Sequence, residues 1–295
     1  MKILYRIIRV PYHIFKKSRK RFNLILHKHI LKNTIDSGLL KKRLLDIGLK
    51  KGMNVYVHSS LSSFGYIEGG PNTVLEVLDD IVNDGTIIMP TFTHFKKEFN
   101  LNDVCWTGKI AETFRLQNNT HRSVHPTHSV AARGKDANYL IKDHEKSERP
   151  FDENSPFYKL TRLDSYILML GTENNSMIHY VQDKVKFPNL FLKGVHNYKF
   201  KNKILKTKLH HPLGSITYIC KGKQCTDVDF LIKFYKDEKF EEKDIMKTLK
   251  IGKAVCHLIK TKEFVNISTK YLGDNIKKYK EEYKSILRDG KNESS

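Results

Sequence analysis

Residues 53–65, MNVYVHSSLSSFG, decide the fold of this chain. They begin with an apolar run, Met53 to Val57, and then change to small hydroxyl residues and glycine. Upstream, leucines recur at helical spacing over residues 39–49, and glycines frame a stop at residues 48–52. The pattern predicts a helix, a turn and a buried strand that ends in a polar loop.

The same cycle repeats along the chain. Helical patterns at residues 74–82 and 111–117 alternate with short apolar runs at residues 85–90 and 166–171. Strands that are apolar on both sides and alternate with helices are typical of a mostly parallel sheet that is covered by helices on both faces.

The pattern changes beyond Lys184. Alternating segments at residues 215–224 and 253–267 predict antiparallel hairpins, and the chain from about Asn275 predicts a charged helix with a polar tail. We therefore expect an α/β fold, a three-layer α/β/α sandwich with a mostly parallel central sheet and additional antiparallel strands.

Composition limits the class of protein. The chain has 295 residues, of which 39% are hydrophobic, and a mean hydropathy of −0.49. These values exclude a membrane-spanning protein and chain-wide disorder, and the length suits one large or two modest domains. Four irregularly spaced cysteines favour a reducing, cytoplasmic location, and basic residues interrupt every apolar run that could serve as a signal peptide.

The net charge of +21 is distributed unevenly. Residues 1–51 hold 15 Lys and Arg against 2 acidic residues, residues 52–183 hold 12 against 17, and residues 184–295 hold 26 against 13. The middle third is therefore mildly acidic between two basic flanks. The flanks predict an anionic ligand or an anionic surface as partner.

Residues 1–32 contain ten basic residues and no acidic residue, interleaved with apolar and aromatic side chains. This cationic arm has two interpretations, peripheral contact with an anionic membrane or packing on another subunit of a homo-oligomer. Pro11 interrupts its helical pattern. No recognisable nucleic-acid-binding module accompanies the charge, so we expect no nucleic-acid partner.

Ligands of open parallel sheets bind at the carboxyl ends of the strands. The candidate residues that follow the first two strands are His58, Ser59, Ser60, Leu61, Ser62, Thr91 and Phe92. A glycine-rich helix start follows at residues 69–73, where backbone N–H groups could approach an anion closely. Ordinary turn chemistry explains the same residues.

The third strand leads into a second candidate loop. If Asn174 or Asn175 caps the next helix, Ser176, His179 and Gln182 lie on one face of it. The dipole at a helix N-terminus favours a neutral imidazole, the form that acts as a general base. A structural histidine remains the alternative.

Three histidines lie within residues 121–128 at His-x3-His-x2-His spacing. Pro126 argues against the helical histidine pair of zinc proteases, and no carboxylate or thiolate lies at ligand spacing, so we expect no metal. The other interpretation is a loop that holds phosphate or pantetheine groups through Arg122, Ser123, Pro126 and Ser129. No P-loop, dinucleotide fingerprint or nucleophile elbow is present.

Six blocks, in this order, resemble the aminoglycoside 3-N-acetyltransferase family, which uses acetyl-coenzyme A. The resemblance covers roughly residues 36–280. The matching blocks are residues 57–61 with Gly69, Gly70 and Thr73; residues 84–86 with 89–91; Gly108 with Glu112, Phe114 and Arg115; Arg122 and Ser123 with His125, Pro126 and Ser129; Ser155 and Pro156 with Leu160; and residues 168–171 with Ser176 and His179.

The resemblance implies a three-layer α/β/α core and direct transfer of an acyl group from coenzyme A to a sugar amine. It implies that His179 acts as the general base and that the Ser176 hydroxyl steadies the thioester carbonyl. It also implies that the loop of residues 58–62, the turn at residues 91–92 and the loop of residues 122–129 form the coenzyme A cradle.

One residue departs from the family pattern. Gln182 stands where the family has a glutamate, three residues after the histidine. A neutral amide can orient the imidazole, but it adds no charge that stabilises the protonated form. Glu112 or the neighbouring Asp183 would supply the missing carboxylate if the fold brings either of them close.

These observations predict a basic arm at residues 1–35, an acyltransferase domain at residues 36–280 and a charged tail at residues 281–295. Because basic flanks would repel a polycationic drug, we expect an acetyl-coenzyme A-dependent N-acyltransferase that modifies a free, nucleotide-linked or lipid-linked amino sugar in surface polysaccharide biosynthesis, at the cytoplasmic face of the membrane. The alternatives are an aminoglycoside N-acetyltransferase of antibiotic resistance and a non-catalytic member that binds an anionic glycan or membrane.

Overall fold

The structure is a computed structural model that describes residues 34–188, 190–210, 218–220, 223–225 and 227–281. The predicted membrane or subunit contact of residues 1–32 lies outside the described residues, and so does nearly all of the predicted tail. In the described part of the chain, no helix is long and apolar enough to cross a membrane.

Strands and helices alternate through the first half of the chain, as predicted. The strands are β1 (Thr34–Ile35), β2 (Asn54–Ser59), β3 (Tyr66–Ile67), β4 (Thr86–Pro90), β5 (His121–Arg122), β6 (Val130–Gly134), β7 (Ser165–Leu170), β8 (His196–Phe200), β9 (Lys203–Thr207), β10 (Tyr218–Cys220), β11 (Lys223–Cys225), β12 (Met246–Ile251) and β13 (Ala254–Lys260). The α-helices are α1 (Ser37–Asp46), α2 (Pro71–Val82), α3 (Lys109–Arg115), α4 (Ala137–Ile141), α5 (Pro156–Arg162), α6 (Met177–Lys184), α7 (Asp227–Asp237) and α8 (Thr261–Asp274).

Among the described residues, seven strands form one sheet in the order β12-β13-β7-β2-β4-β6-β5. The central strands β7, β2 and β4 are parallel, and the strands on both sides of them pair antiparallel. The prediction of an α/β fold with additional antiparallel strands is confirmed, and the sheet as a whole is mixed. Because the central strands are parallel, their carboxyl ends lie at the same edge.

The strands divide their side chains between two apolar clusters, as alternation along a strand requires. Tyr56 of β2 belongs to the cluster that includes residues of α4 to α8. Val55 and Val57 belong to the cluster that includes residues of α1 to α3. Burial on both sides explains why the sequence of β2 is a continuous apolar run.

The two predicted hairpins have different outcomes. The hairpin at residues 215–224 is confirmed, because β10 and β11 pair antiparallel. The prediction for residues 253–267 is confirmed for β13, which forms an antiparallel hairpin with β12, and is wrong beyond Lys260, where α8 follows directly. Phe264 and Val265 are buried on the inner face of α8. The apolar residues of so short a segment fit the repeat of a helix as well as that of a strand, so the sequence pattern alone could not identify the helix.

Candidate active site

A cavity of about 280 Å³ lies at the carboxyl ends of β2, β4 and β7. The parallel strands bring together loops that are distant in sequence, at the edge where the fold class predicts a ligand. The residues that line the cavity are Val57, His58, Ser59, Pro90, Phe92, Trp106, Thr107, Ala111, Thr172, Asn174, Asn175, Ser176, Ile178, His179 and Asp227.

His179 is held in this cavity by Gln182. Nδ1 of His179 lies 2.8 Å from Oε1 of Gln182, and Nε2 of Gln182 donates to Oδ1 of Asp227 over 3.2 Å. Gln182 is fully buried, whereas His179 and Asp227 line the cavity. When Nδ1–H donates to the amide oxygen, Nε2 of His179 keeps the lone pair that accepts a proton.

Ser176 lines the same cavity immediately before α6. Its Oγ lies 2.8 Å from the phenol oxygen of Tyr56. Burial raises the pKa of Tyr56, so the phenol keeps its proton and can donate it to Ser176. The hydroxyl hydrogen of Ser176 is then available to a ligand in the cavity.

Asn175 forms the start of α6. Its Oδ1 accepts a hydrogen bond from the backbone N–H of Met177, and its Nδ2 donates to the hydroxyl of Tyr235, each over 3.1 Å. The N-cap position itself is Ser176, whose side chain makes no capping hydrogen bond, so the predicted asparagine cap is wrong. Asn175 instead forms a turn one residue earlier, which positions the first turn of α6, and Asn174 and Asn175 both line the cavity.

His58 contributes a second imidazole. Burial, together with the nearby His179, lowers the pKa of His58 to about 3, so the ring is neutral. Its ring packs edge-on against Tyr56, with 4.6 Å between ring centroids. Nε2 of His58 is buried and has no hydrogen-bond partner among the described residues. His58 therefore brings an unused polar atom to the wall of the cavity.

Comparison with known proteins identifies the family of the chain. The sequence profile described as aminoglycoside 3-N-acetyltransferase matches residues 56–273. This chain belongs to that family. Membership confirms the predicted acyl donor, because the family is acetyl-coenzyme A-dependent.

Relatives in this family resemble the chain over most of its length. The SPbeta prophage-derived aminoglycoside N(3')-acetyltransferase-like protein YokD of Bacillus subtilis (strain 168) is 28% identical over 264 residues, 78% of this chain and 89% of YokD. Aminoglycoside N(3)-acetyltransferase IV of Salmonella sp is 27% identical over 245 residues, 78% of this chain and 85% of the relative.

Solved structures show the same fold. The crystal structure of YokD superposes with a TM-score of 0.64 at 27% identity, over 81% of this chain and 93% of YokD. The structure described as AAC-IIIb binary with CoASH superposes with a TM-score of 0.66 at 19% identity, over 82% of this chain and 98% of that chain. At that identity, the second likeness concerns the fold alone.

Gln182, where the resemblance places a glutamate of the family pattern, donates to a carboxylate of another helix, that of Asp227. Asp227 is not among the site residues predicted from the sequence. The signal that could have found it is an acidic helix start, since Asp227 and Asp229 begin α7 within the Lys-rich third of the chain.

The expectation that Glu112 supplies this carboxylate is wrong. Glu112 accepts the backbone N–H of Cys105 over 3.0 Å and forms an ion pair with Arg115 at 2.5 Å. It does not line the cavity among the described residues. The other candidate, Asp183, forms an ion pair with Arg149 at 3.1 Å. Both carboxylates therefore have structural ion pairs of their own.

The predicted phosphate-binding role of Arg122 also needs correction. Its guanidinium donates to the carbonyls of Leu101, Asp103 and Thr91 over 2.8, 2.6 and 2.6 Å, and to Oγ of Ser129 over 3.0 Å. These hydrogen bonds tie three loops together and leave Arg122 away from the cavity lining. An arginine with four internal acceptors acts as a brace.

The other predicted cradle residues divide into two groups. His58, Ser59 and Phe92 line the cavity. The residues that the structure does not bring to the lining are Ser60, Leu61, Ser62, Thr91, Ser123, Pro126 and Ser129. Several of these make internal hydrogen bonds, since the backbone N–H of Val130 donates to Ser123 and Thr91 donates to the Ser129 carbonyl. These residues therefore serve to hold the loops in shape.

The histidines of the 121–128 segment do not converge. His121 is exposed on β5, whereas His125 and His128 are buried with 5.9 Å between their ring centroids. His125 stacks on His144 with 4.8 Å between centroids and lies 3.2 Å from Oγ1 of Thr207 through Nε2. Across the described residues, no group of His, Cys, Asp or Glu side chains is arranged to hold a metal ion.

A second cavity, of about 480 Å³, has a lining that shares no residue with that of the first. Its polar lining carries Arg149, Lys186, Lys193 and Lys208, with Asp183 as counter-charge. The Phe191 ring in its wall lies 6.3 Å from the ring of Phe151, which in turn lies 5.7 Å from His179. One aromatic layer therefore separates a basic cavity from the candidate base.

Replacement of Arg122 by lysine should weaken the fold and leave the binding of acetyl-coenzyme A unchanged. Lysine keeps the positive charge but cannot reach four acceptors, so we expect a loss of about 2–4 kcal/mol in the free energy of unfolding in urea. The exposed Arg43→Lys is the matched control and should change stability by about 0.5 kcal/mol or less. A higher KM for acetyl-coenzyme A without loss of stability would instead support the predicted phosphate-binding role of Arg122.

Four buried histidines should make the fold sensitive to acid. Burial lowers the pKa of His58 and His144 to about 3, and that of His125 and His128 well below 6.5. Below pH 6.5 the unfolded chain binds these protons and the folded chain does not, so stability falls as the pH is lowered, by up to about 1.4 kcal/mol per pH unit for each histidine. Circular dichroism should show cooperative unfolding between about pH 6 and 4. A constant urea midpoint between pH 7 and 5 would contradict this.

Proposed function

We propose that this chain transfers an acetyl group from acetyl-coenzyme A to an amine of an aminoglycoside. The observation that carries the proposal is the cavity in which His179, held through Nδ1, faces the same space as Ser176. Family membership supports an N-acetyltransferase, and the relatives named aminoglycoside N(3)-acetyltransferase support an amino sugar as acceptor.

The side chains of the cavity provide the two functions that such a transfer needs. An amine arrives mostly as an ammonium ion, and Nε2 of His179 would take the proton that blocks its lone pair. Acetyl-coenzyme A supplies the activated thioester, whose carbon–sulfur bond breaks as the carbon–nitrogen bond forms. Ser176, with Tyr56 behind it, would donate to the carbonyl oxygen as negative charge develops there. The nitrogen loses a second proton as the amide forms, so one of the two protons would reach the departing sulfur through His179 and the other would pass to solvent.

The residues of the two cavities fit acetyl-coenzyme A. His58, Ser59 and Phe92 would hold the acyl and pantetheine end, where Nε2 of His58 offers a polar atom without a partner among the described residues. The phosphates would be held by the basic cavity of Arg149, Lys186, Lys193 and Lys208. These four cations would thus bind the phosphates, the role predicted for Arg122 from the sequence.

An aminoglycoside is better supported as acceptor than an amino sugar of a surface glycan. The preference for a glycan rests on the basic flanks, yet the first cavity has Asp227 and no lysine or arginine among its described lining residues. A cationic acceptor suits that lining. Trp106, 57% exposed at the cavity, offers an aromatic face to a sugar ring. A non-catalytic role is less well supported, because a carboxylate lies behind Gln182.

The proposed acyltransferase domain keeps its predicted bounds, residues 36–280, with the three-layer α/β/α arrangement. Support for the three layers comes from the alternation of strand residues between two apolar clusters, each of which includes its own set of helices. Thr34–Ile35, which the prediction places in the arm, pair with β3 of this domain, and Ile35 is buried in one of its two apolar clusters.

Purified protein should release free thiol from acetyl-coenzyme A in the presence of aminoglycosides. His179→Ala should lower kcat by about 100- to 10,000-fold, because general-base catalysis contributes that much. His121→Ala, an exposed histidine on β5, is the matched control and should keep full activity. Trp106 is the single tryptophan of the sequence, so its fluorescence reports ligand binding in all variants.

The acceptor panel decides between the alternatives. It would contain gentamicin and apramycin, which are bound in structures of AAC(3)-IVa variants, and nucleotide-linked amino sugars. Thiol release with only the nucleotide-linked sugars would restore the glycan interpretation. No release with any acceptor, and no saturable change in Trp106 fluorescence with coenzyme A, would favour the non-catalytic one.

Removal of two lysines from the basic cavity should weaken acetyl-coenzyme A binding. In Lys186→Gln/Lys193→Gln we expect a KM for acetyl-coenzyme A about 5- to 10-fold higher at low salt, since each partly exposed charge pair contributes at most about 1 kcal/mol. With 3'-dephospho-acetyl-coenzyme A, the difference from the wild type should shrink. Lys201→Gln/Lys203→Gln removes the same charge at the β8–β9 turn. An equal effect of both pairs would indicate long-range attraction without a phosphate site.

A further inference from the structure

We propose that Asp227 is a positioning residue that acts on His179 through the amide of Gln182. This inference rests on the proposed role of His179 as general base. The hydrogen-bonded series runs from Oδ1 of Asp227 to Nε2 of Gln182 over 3.2 Å, and from Oε1 of Gln182 to Nδ1 of His179 over 2.8 Å. In this chain a carboxylate and an amide together replace a single glutamate.

The chemistry of the three groups sets the direction of the series. An ionised carboxylate only accepts hydrogen bonds, so Asp227 requires the NH₂ end of the Gln182 amide. The amide oxygen must then face His179, where it accepts a proton from Nδ1. That choice selects the tautomer with a free lone pair on Nε2. Asp227 thus determines which nitrogen of His179 is basic without contacting the imidazole.

The burial of Gln182 disfavours the opposite orientation of its amide. Gln182 is fully buried, so a flipped amide would place its oxygen against the Asp227 carboxylate, and its NH₂ group would face His179 without a clash only if Nδ1 gave up its proton. Such a buried mismatch costs about 1–3 kcal/mol for each unsatisfied group. Asp227 also lies in the first turn of α7, where the helix dipole favours a negative charge. The carboxylate therefore also stabilises the imidazolium ion that forms when His179 takes a proton.

Two other roles of Asp227 lead to different measurements. A residue that only starts α7 affects stability and leaves the chemistry of His179 unchanged. A residue that only binds the cationic acceptor raises the KM for the acceptor and leaves kcat unchanged. A positioning residue lowers kcat and moves the pH dependence of kcat/KM, because the base loses the charge behind it.

The test uses Asp227→Asn, the double variant Gln182→Glu/Asp227→Asn, and Asp229→Asn. In Asp227→Asn the amide can take either orientation, and we expect kcat to fall by about 10- to 100-fold, as for other partners that orient functional histidines. The acidic limb of the kcat/KM profile should shift to lower pH. In the double variant a glutamate bonds the imidazole directly, so most of the lost kcat should return.

Asp229→Asn is the matched control, because Asp229 lies in the same first turn of α7 and does not line the cavity among the described residues. It should keep the wild-type kcat and pH profile. Thermal unfolding of every variant shows whether it is folded, and the double variant keeps the proposal testable if Asp227→Asn is unstable. Loss of kcat without recovery in the double variant would overturn the positioning role, and so would a change confined to KM.

Nitrogen NMR of ¹⁵N-histidine-labelled protein tests the inference without any turnover. The wild type should show His179 protonated at Nδ1, and Asp227→Asn should show a mixture of the two tautomers. An unchanged tautomer in Asp227→Asn would contradict the proposal. If the wild type transfers no acetyl group but the tautomer depends on Asp227, the proposed reaction fails while the positioning of His179 stands.

Discussion

The parallel pairing of β2 with β7 is the constraint on which the rest of the site depends. Its register places His58 beside Met169 and Ser59 beside Leu170, so the two strands end together. Gly171 follows with φ of 70°, where a Cβ atom would lie 2.8 Å from Cβ of Ser63. The tight turn at Gly171 ends β7 and leads into the loop that carries Ser176, which is hydrogen-bonded to Tyr56. A shift of one residue would place Tyr56 on the other face of the sheet and remove its hydrogen bond to Ser176.

Polar groups that are buried around the cavity are largely used to build its walls. Arg122 donates to three carbonyls in two loops and to a hydroxyl of a third loop, and His125 accepts the backbone N–H of His128 over 3.0 Å. The loop of residues 120–129, rich in histidine and hydroxyl residues, therefore resembles a binding site in sequence, but in the structure its polar groups hydrogen-bond to one another and to neighbouring loops. Buried polar atoms need partners, and loops that pack against a sheet edge provide many carbonyl and N–H groups to one another.

Charge is arranged so that the two proposed substrates would meet different surfaces. The lining of the first cavity contains Asp227 and no cation among the described residues, whereas the second collects Arg149, Lys186, Lys193 and Lys208. Three of these four cations come from the Lys-rich part of the chain beyond residue 184. Part of the positive charge of this third is thus collected at one cavity, which agrees with an anionic donor and a cationic acceptor.

The sequence by itself determined the elements that depend on local pattern. The double-sided apolar runs of β2, β4 and β7 follow from neighbouring residues, and so does the spacing that puts Ser176, His179 and Gln182 on one face at the start of α6. Only the tertiary structure decided which carboxylate is hydrogen-bonded to Gln182 behind His179. Asp227 is 45 residues from Gln182, and Glu112 and Asp183 are engaged by arginines instead. Periodicity describes a residue's own helix or strand, while a partner across the core is selected by how separate helices pack together.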